Sequence, residues 1–155
     1  MYEYKVNILK VVDGDTVDVD IDLGFGCWLR NERVRIVGID CPESRTSDRI
    51  EKVFGEAAKQ RLTSLLSSEA ILISQVSKMG ENMKGKFGRI LGDFTVYHAP
   101  TDSWRMVTDI MVEEGHAVAY FGGSKEEIQQ KHMANRGKLI REGLVKMTEE
   151  EAGLI

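Results

Sequence analysis

The sequence predicts a mainly β domain with helices added to it, and three observations carry that prediction. First, Thr16 to Asp22 alternates with period two. Val17, Val19 and Ile21 share one face and Asp18, Asp20 and Asp22 the other, the mark of a half-buried strand. Second, from about Ser47 to Leu66 the spacing turns helical, with Ile50, Val53, Phe54, Ala57, Ala58, Leu62, Leu65 and Leu66 in one stripe. Third, the segments follow in the order three strands, helix, two strands, two helices. That order fits a five-stranded Greek-key barrel (the OB-fold) plus three helices.

Each element has its own signal. Tyr4 to Val12 is a β-type run, and Asp13-Gly14 is a turn pair leading into the alternating strand. Leu23-Gly24-Phe25-Gly26 reads as a glycine-loosened turn. Arg33 to Ile39 is the third strand, with Val34, Ile36 and Gly38 opposite Arg33, Arg35, Val37 and Ile39. Pro42 breaks the strand pattern, and Ser47 or Asp48 caps the first helix. Ala70 to Val76 and Phe87 to Tyr97 pair as the last two strands, joined by the loop Ser77 to Gly85. Met106 to Glu114 is a short helix ended by Gly115. Ser124 to Glu142 is the third, with Ser124 as cap, Glu127 three residues on as in a capping box, and Gly137 interrupting it.

At 155 residues the chain is one domain with room for a real core. An apolar fraction of 42% and a charged fraction of 30% belong to a folded, soluble protein. Lys and Arg total 21 against 25 Asp and Glu, a net charge of −4, which argues against a broadly basic, DNA-coating surface. Any nucleic acid must be held locally, by placed arginines and a metal. Two cysteines, Cys27 and Cys41, are too few for a disulfide framework. The start Met1-Tyr2-Glu3-Tyr4-Lys5-Val6 lacks the pattern of a signal peptide, and no apolar run approaches the ~20 residues of a membrane span, so a cytoplasmic chain is expected, although a trimmed precursor would read the same. The domain is expected over residues 1–145. Residues 146–155, with Glu149-Glu150-Glu151 and Leu154-Ile155, form an acidic tail expected to be disordered.

Four short stretches carry chemistry: Asp13-Gly14-Asp15-Thr16, Arg35, Asp40-Cys41-Pro42-Glu43 and Gly88-Arg89. Clustered carboxylates hold a hard metal ion such as Ca²⁺, which takes oxygen ligands. Arginine's planar fork matches phosphate oxygens. A site with both, and one carboxylate spare to activate water, suits metal-assisted phosphodiester hydrolysis. His98, His116 and His132 are scattered, so zinc is not expected. Taken singly, each stretch is an ordinary turn or surface position; the combination is what carries the reading.

Val12-Asp13-Gly14-Asp15-Thr16-Val17, then Val34 to Glu43, then Lys86-Phe87-Gly88-Arg89 resemble the three signatures of staphylococcal-type thermonucleases. Gly55, Ala57 and Ala58, and Met111 to Ala117, continue the resemblance to about residue 145. It implies an OB-fold nuclease that uses one Ca²⁺ to hydrolyse DNA and RNA to 3′-phosphorylated products. By position it implies Asp15 and Asp40 as carboxylate ligands and the Cys41 backbone carbonyl as a third, where the family usually has Thr. Asp13 would accept from calcium-bound water. Glu43 would orient or deprotonate the attacking water, and Arg35 and Arg89 would grip the scissile phosphate. Lys86 and Tyr120 are candidate substrate contacts. Phe87 stands where the family often has Tyr, and Tyr120 aligns only with a one-residue gap. Trp28 and Trp104 read as packing residues or base stackers.

The expected partners are single-stranded DNA and RNA, with no membrane, and the chain is expected to act as a monomer. The alternative is a non-catalytic nucleic-acid-binding module of the same fold; a structural OB-type interaction domain is the weaker third reading. A pure binder has no need of Asp15, Asp40, Glu43, Arg35 and Arg89 together, and an acidic chain suits one poorly, because non-specific affinity comes from phosphate neutralisation.

Overall fold

The structure is a computed structural model that describes residues 2–75 and 88–155. In chain order the elements are β1 (Tyr2–Asp13), β2 (Thr16–Gly24), β3 (Cys27–Ile36), β4 (Ile39–Asp40), α1 (Arg49–Leu65), β5 (Ala70–Ser74), β6 (Ile90–His98), β7 (Ser103–Met106), α2 (Val107–Glu113), β8 (Val118–Ala119) and α3 (Lys125–Arg141). The strands β1, β2 and β3 form an antiparallel meander, β5 pairs with β1, and β6 lies antiparallel to β5. β6 also runs parallel to β3, with Val34 opposite Ile90 and Ile36 opposite Gly92. That pairing closes five strands into a mixed barrel with the OB-fold order, and three helices surround it.

β1 can serve two neighbours because it bends. Its residues Tyr2 to Lys5 pair with β5, while Lys5 to Asp13 pair with β2. The register slips between Ile8 and Lys10 and again between Val11 and Asp13. Such bulges sharpen local twist and let a strand turn from one sheet face to the next. The interior is filled from the alternating faces: Val17, Val19 and Ile21 of β2, Val34 and Ile36 of β3, Leu72 of β5, and Phe94 and Val96 of β6. Ala58, Leu62 and Leu65 of α1 and Ile110 and Met111 of α2 plug the same core. Each large aliphatic side chain so buried is worth about 1.5–3 kcal/mol.

The helix starts follow their caps. Of the two candidates at α1, Asp48 is the cap: its Oδ1 accepts from Ile50 N at 3.0 Å and Glu51 N at 3.1 Å. Ser124 Oγ accepts from Glu127 N at 3.2 Å at the start of α3.

Three features depart from the sequence reading. β3 starts at Cys27 and stops at Ile36; Val37-Gly38 is a turn with Gly38 at φ +82°. That left-handed residue resets the two-residue period, so Ile39 is buried rather than sharing the face of Arg35. The strands β4, β7 and β8 are too short to carry a period of their own. The C-terminal residues, expected to be disordered, pack on the helices instead. Ala152 is buried with Phe54, Leu139 and Val145, and Met147 and Leu154 rest against them. Arg136 Nη1 donates to Ala152 O at 3.3 Å. The apolar residues interleaved with the tail's acids find the face of α1 and α3 that the barrel leaves uncovered. Among the described residues no helix is long and apolar enough to cross a membrane.

Candidate active site

An open cleft of about 680 Å³ receives side chains from the β1–β2 turn, β3, β4 and the segment after it, α1, the residue before β6, the residue after β8, and α3. Asp15 sits in the first of these. Its Oδ1 accepts from Thr16 Oγ1 at 3.0 Å, and its Oδ2 lies 3.4 Å from Cys41 N and 3.5 Å from Arg35 Nη2. Burial pushes the Asp15 carboxyl above its usual range, and the Arg35 charge opposes that shift without cancelling it. The Asp15 carbonyl accepts from Ile36 N at 2.8 Å, so the turn is fastened to the end of β3.

Asp13, which also lines the cleft, is held by the segment that follows β4. Its Oδ1 accepts from Ser44 N at 3.3 Å and from Ser44 Oγ, and Arg45 lies 3.7 Å from Oδ2. Asp13 therefore anchors the segment 41–45, with Ser44 buried beneath it.

Arg35 is held by its own chain. Nη1 donates to Ile36 O and Nη2 to Ile39 O at 3.0 Å, contacts that exist because the Gly38 turn folds β4 back towards the guanidinium. Arg89 follows Gly88, which is left-handed at φ +72°, and stands next to Ile90, the residue that pairs with Val34 of β3. Parallel pairing of β3 with β6 thus brings both arginines to one cleft.

Asp40, on the two-residue strand β4, pairs with Val118 of β8. His132 Nε2 of α3 lies 2.7 Å from its Oδ2; the His132 side chain is 12% exposed and that of Asp40 44%. Cys41 is buried, and that burial pushes its thiol well up, away from any nucleophilic thiolate. Glu43 presents its side chain while its backbone is clamped: a Cβ on Gly55 would lie 2.2 Å from Glu43 O. Tyr120 is 46% exposed on the rim, with its N–H donating to Gly38 O at 2.9 Å.

The cleft therefore brings together Asp15, Arg35, Asp40, Cys41, Glu43, Arg89 and Tyr120. Lys86 and Phe87 lie outside the described residues. The tryptophans are elsewhere: Arg30 covers the Trp28 ring at 4.7 Å, and Trp104 meets Tyr97 edge-on at 6.2 Å. Sequence reasoning missed Glu51 and the wall supplied by α3. Burial and the charges of Glu43 and Asp48 hold Glu51 above the usual carboxylate range. On α3, Lys125, Ile128, Gln129 and His132 line the cleft at the spacing i, i+3, i+4, i+7, a helical stripe that was there to be read. Among the described residues no three His, Cys, Asp or Glu side chains form a ready ligand cluster. The lining instead mixes signs, with carboxylates at Asp13, Asp15, Asp40, Glu43 and Glu51 facing cations at Arg35, Arg45, Arg89 and Lys125.

A closed OB barrel with an acid-and-arginine cleft on its side defines a class of nucleases and nucleic-acid-binding domains. The family model for staphylococcal nuclease homologues matches residues 33–147. Protein ParB of Escherichia coli is 30% identical over 146 residues, covering 92% of this chain and 72% of that protein. The chain belongs to the staphylococcal nuclease homologue family. The turn that holds Asp13 and Asp15 precedes the residues matched by the family model.

Proposed function

We propose that this protein is a Ca²⁺-dependent nuclease that hydrolyses single-stranded DNA and RNA to 3′-phosphorylated products. The observation that carries the proposal is the convergence of Asp15, Asp40, Glu43, Arg35 and Arg89, from four separate stretches of the chain, on one cleft. Asp15, Asp40 and the Cys41 carbonyl are the residues that would hold the cation. They suit it: all three offer oxygen, and burial makes the Asp15 charge costly without a counter-charge beyond Arg35. When bound, the cation supplies positive charge against the phosphoryl oxygens.

The chain's own groups do the rest. Arg35 and Arg89 bind the scissile phosphate and offset the charge that grows on its oxygens in the transition state. Glu43, exposed in the same cleft, takes a proton from the attacking water. The water oxygen bonds to phosphorus, the bond from phosphorus to the 5′ oxygen breaks, and the departing oxygen takes a proton from solvent in the open cleft. The phosphate stays on the 3′ oxygen. Tyr120 on the rim offers a ring to the neighbouring base, and Lys86, beyond the described residues, is a candidate phosphate contact. A monomer suffices, since every group named belongs to one chain.

One observation favours a second reading, a non-catalytic nucleic-acid-binding module. The Asp15 carboxylate already faces protein partners, Arg35 and Cys41 N, on the oxygen that a cation would need. Incubation of denatured DNA and of RNA with the protein separates the two. The nuclease reading expects cleavage in Ca²⁺ that stops in excess chelator; binding without cleavage would leave the module, and cleavage in chelator would remove the metal.

A further inference from the structure

We infer that His132 is a positioning residue for the cation site, fixing the Asp40 carboxylate by hydrogen bonding from α3. The inference rests on the reading of Asp40 as a cation ligand. Asp40 occupies a two-residue strand and keeps 44% of its side chain exposed, so neither its backbone ladder nor its packing fixes the carboxylate. His132 does. Its ring is 12% exposed and its Nε2 lies 2.7 Å from Asp40 Oδ2, 92 residues away in sequence.

The ring is itself well placed to impose a geometry. Asn135 Nδ2, one turn further along α3, donates to Ala117 O at 3.2 Å. β8 follows directly and pairs with β4 at Ile39–Ala119 and Asp40–Val118. The next residue of the helix, Arg136, is buried over the Phe54 ring at 5.3 Å. The helix that carries His132 is thus tied both to the strand that carries Asp40 and to α1. A carboxylate with one oxygen engaged by a fixed N–H donor offers the other in a single orientation. Partners of this kind orient metal-binding carboxylates, and their loss typically weakens metal affinity 10–100-fold.

The test reads cation binding rather than cleavage. Ca²⁺ is titrated into the full chain while the amide chemical shifts of Asp15, Asp40 and Cys41 are followed, in wild type, His132→Ala, His132→Gln, Asp40→Ala and the Asp40→Ala/His132→Ala pair. Thermal unfolding without Ca²⁺ serves as the check on folding. The inference expects His132→Ala to weaken Ca²⁺ about 10–100-fold. It expects His132→Gln, which keeps an N–H donor on the same helix position, to recover most of that loss. It also expects His132→Ala to add nothing once Asp40 is alanine, because a residue acting through Asp40 has no effect in its absence. Unchanged affinity in His132→Ala, no recovery in the glutamine variant, or an equal loss in both backgrounds would each overturn it. A wild-type chain that takes up no Ca²⁺ would instead overturn the functional reading beneath it.

Discussion

Glu43 and Arg89 are placed by different means, and that sets what their replacements do. The Glu43 backbone is wedged against α1 while its carboxylate reaches the cleft. Glu43→Ala should therefore keep the fold and lower kcat by about 10²–10⁴-fold, the usual worth of a general base. Steady-state cleavage of a single-stranded oligonucleotide checks it, and near wild-type turnover would make Glu43 structural. Arg89 leans into the cleft from the start of β6. Arg89→Lys should be nearly as damaging as Arg89→Ala, a fall of about 10²–10³ in rate, because lysine keeps the charge and loses the fork. A lysine variant with most of its activity would mean that charge alone suffices. Asp13 shows why the residue scale needs coordinates. Its neighbours in sequence give no sign that its oxygens reach Ser44 and Arg45, about thirty residues further along the chain.

At the scale of elements, α1 and α2 each depend on a residue of another segment. Glycine inside α1 would ordinarily be improved by alanine, by about 1 kcal/mol. At Gly55 the sign should reverse. The added methyl would meet Glu43 O at 2.2 Å and Ser44 N at 2.6 Å, both backbone atoms, so the segment 43–44 must move. Gly55→Ala should destabilise by about 1–3 kcal/mol and depress kcat together with stability; a variant more stable than wild type would show that the segment yields freely. α2 has no side-chain cap of its own at Met106. Asp93 of β6 takes that place, its carboxylate accepting from the Thr108 backbone N–H in the first turn of α2 as well as from Thr108 Oγ1 at 2.6 Å and Phe94 N at 2.7 Å. Burial raises the Asp93 carboxyl from 3.8 to about 6. The folded state then holds the proton more tightly than the unfolded chain, so this group favours folding below about pH 4 and loses that contribution as pH rises through 6. The difference is worth up to about 3 kcal/mol. Urea unfolding between pH 4 and 7 should fall in stability across that window and fall less in Asp93→Asn. An unchanged slope in the variant would remove Asp93 from the account. Asp15, also raised by burial, works in the same direction.

The whole molecule is built on two apolar clusters that share α1. One face of that helix, through Ala58, Leu62 and Leu65, closes the barrel; Phe54 on another faces Leu139, Val145 and Ala152. The second cluster is what holds α3, and α3 is a wall of the cleft. Stability of the C-terminal residues and integrity of the site are thereby coupled over a distance no single contact spans. Ala152→Asp, which places a charge among Phe54, Leu139 and Val145, should cost upward of about 2 kcal/mol. It should also raise KM or lower kcat by loosening α3. Thermal unfolding and cleavage kinetics on the same preparation check both halves. A variant with a lowered melting temperature and wild-type kinetics would leave the cluster purely structural.

The strands announced themselves because a barrel is built from one buried and one wet face, and Val17, Val19 and Ile21 against Asp18, Asp20 and Asp22 write that division directly into the chain. Helices α1 and α3 were equally plain, since Asp48 and Ser124 cap the orphan N–H groups that any helix must satisfy. The motif residues around Asp15, Asp40 and Arg89 could be read in combination, since each stretch taken singly is an ordinary turn or surface position. Closure of the ring was not visible: it depends on Val34 and Ile36 meeting Ile90 and Gly92 in parallel, a pairing between distant segments that leaves no local period. The same holds for His132 on Asp40, for Asp93 capping α2, and for Ala152 under the helices. Sequence by itself determined the faces, the caps and the turn residues, because those follow from interactions between near neighbours. Only the tertiary structure decided which side chains share the cleft, because that depends on where strands far apart in the chain are brought to lie side by side.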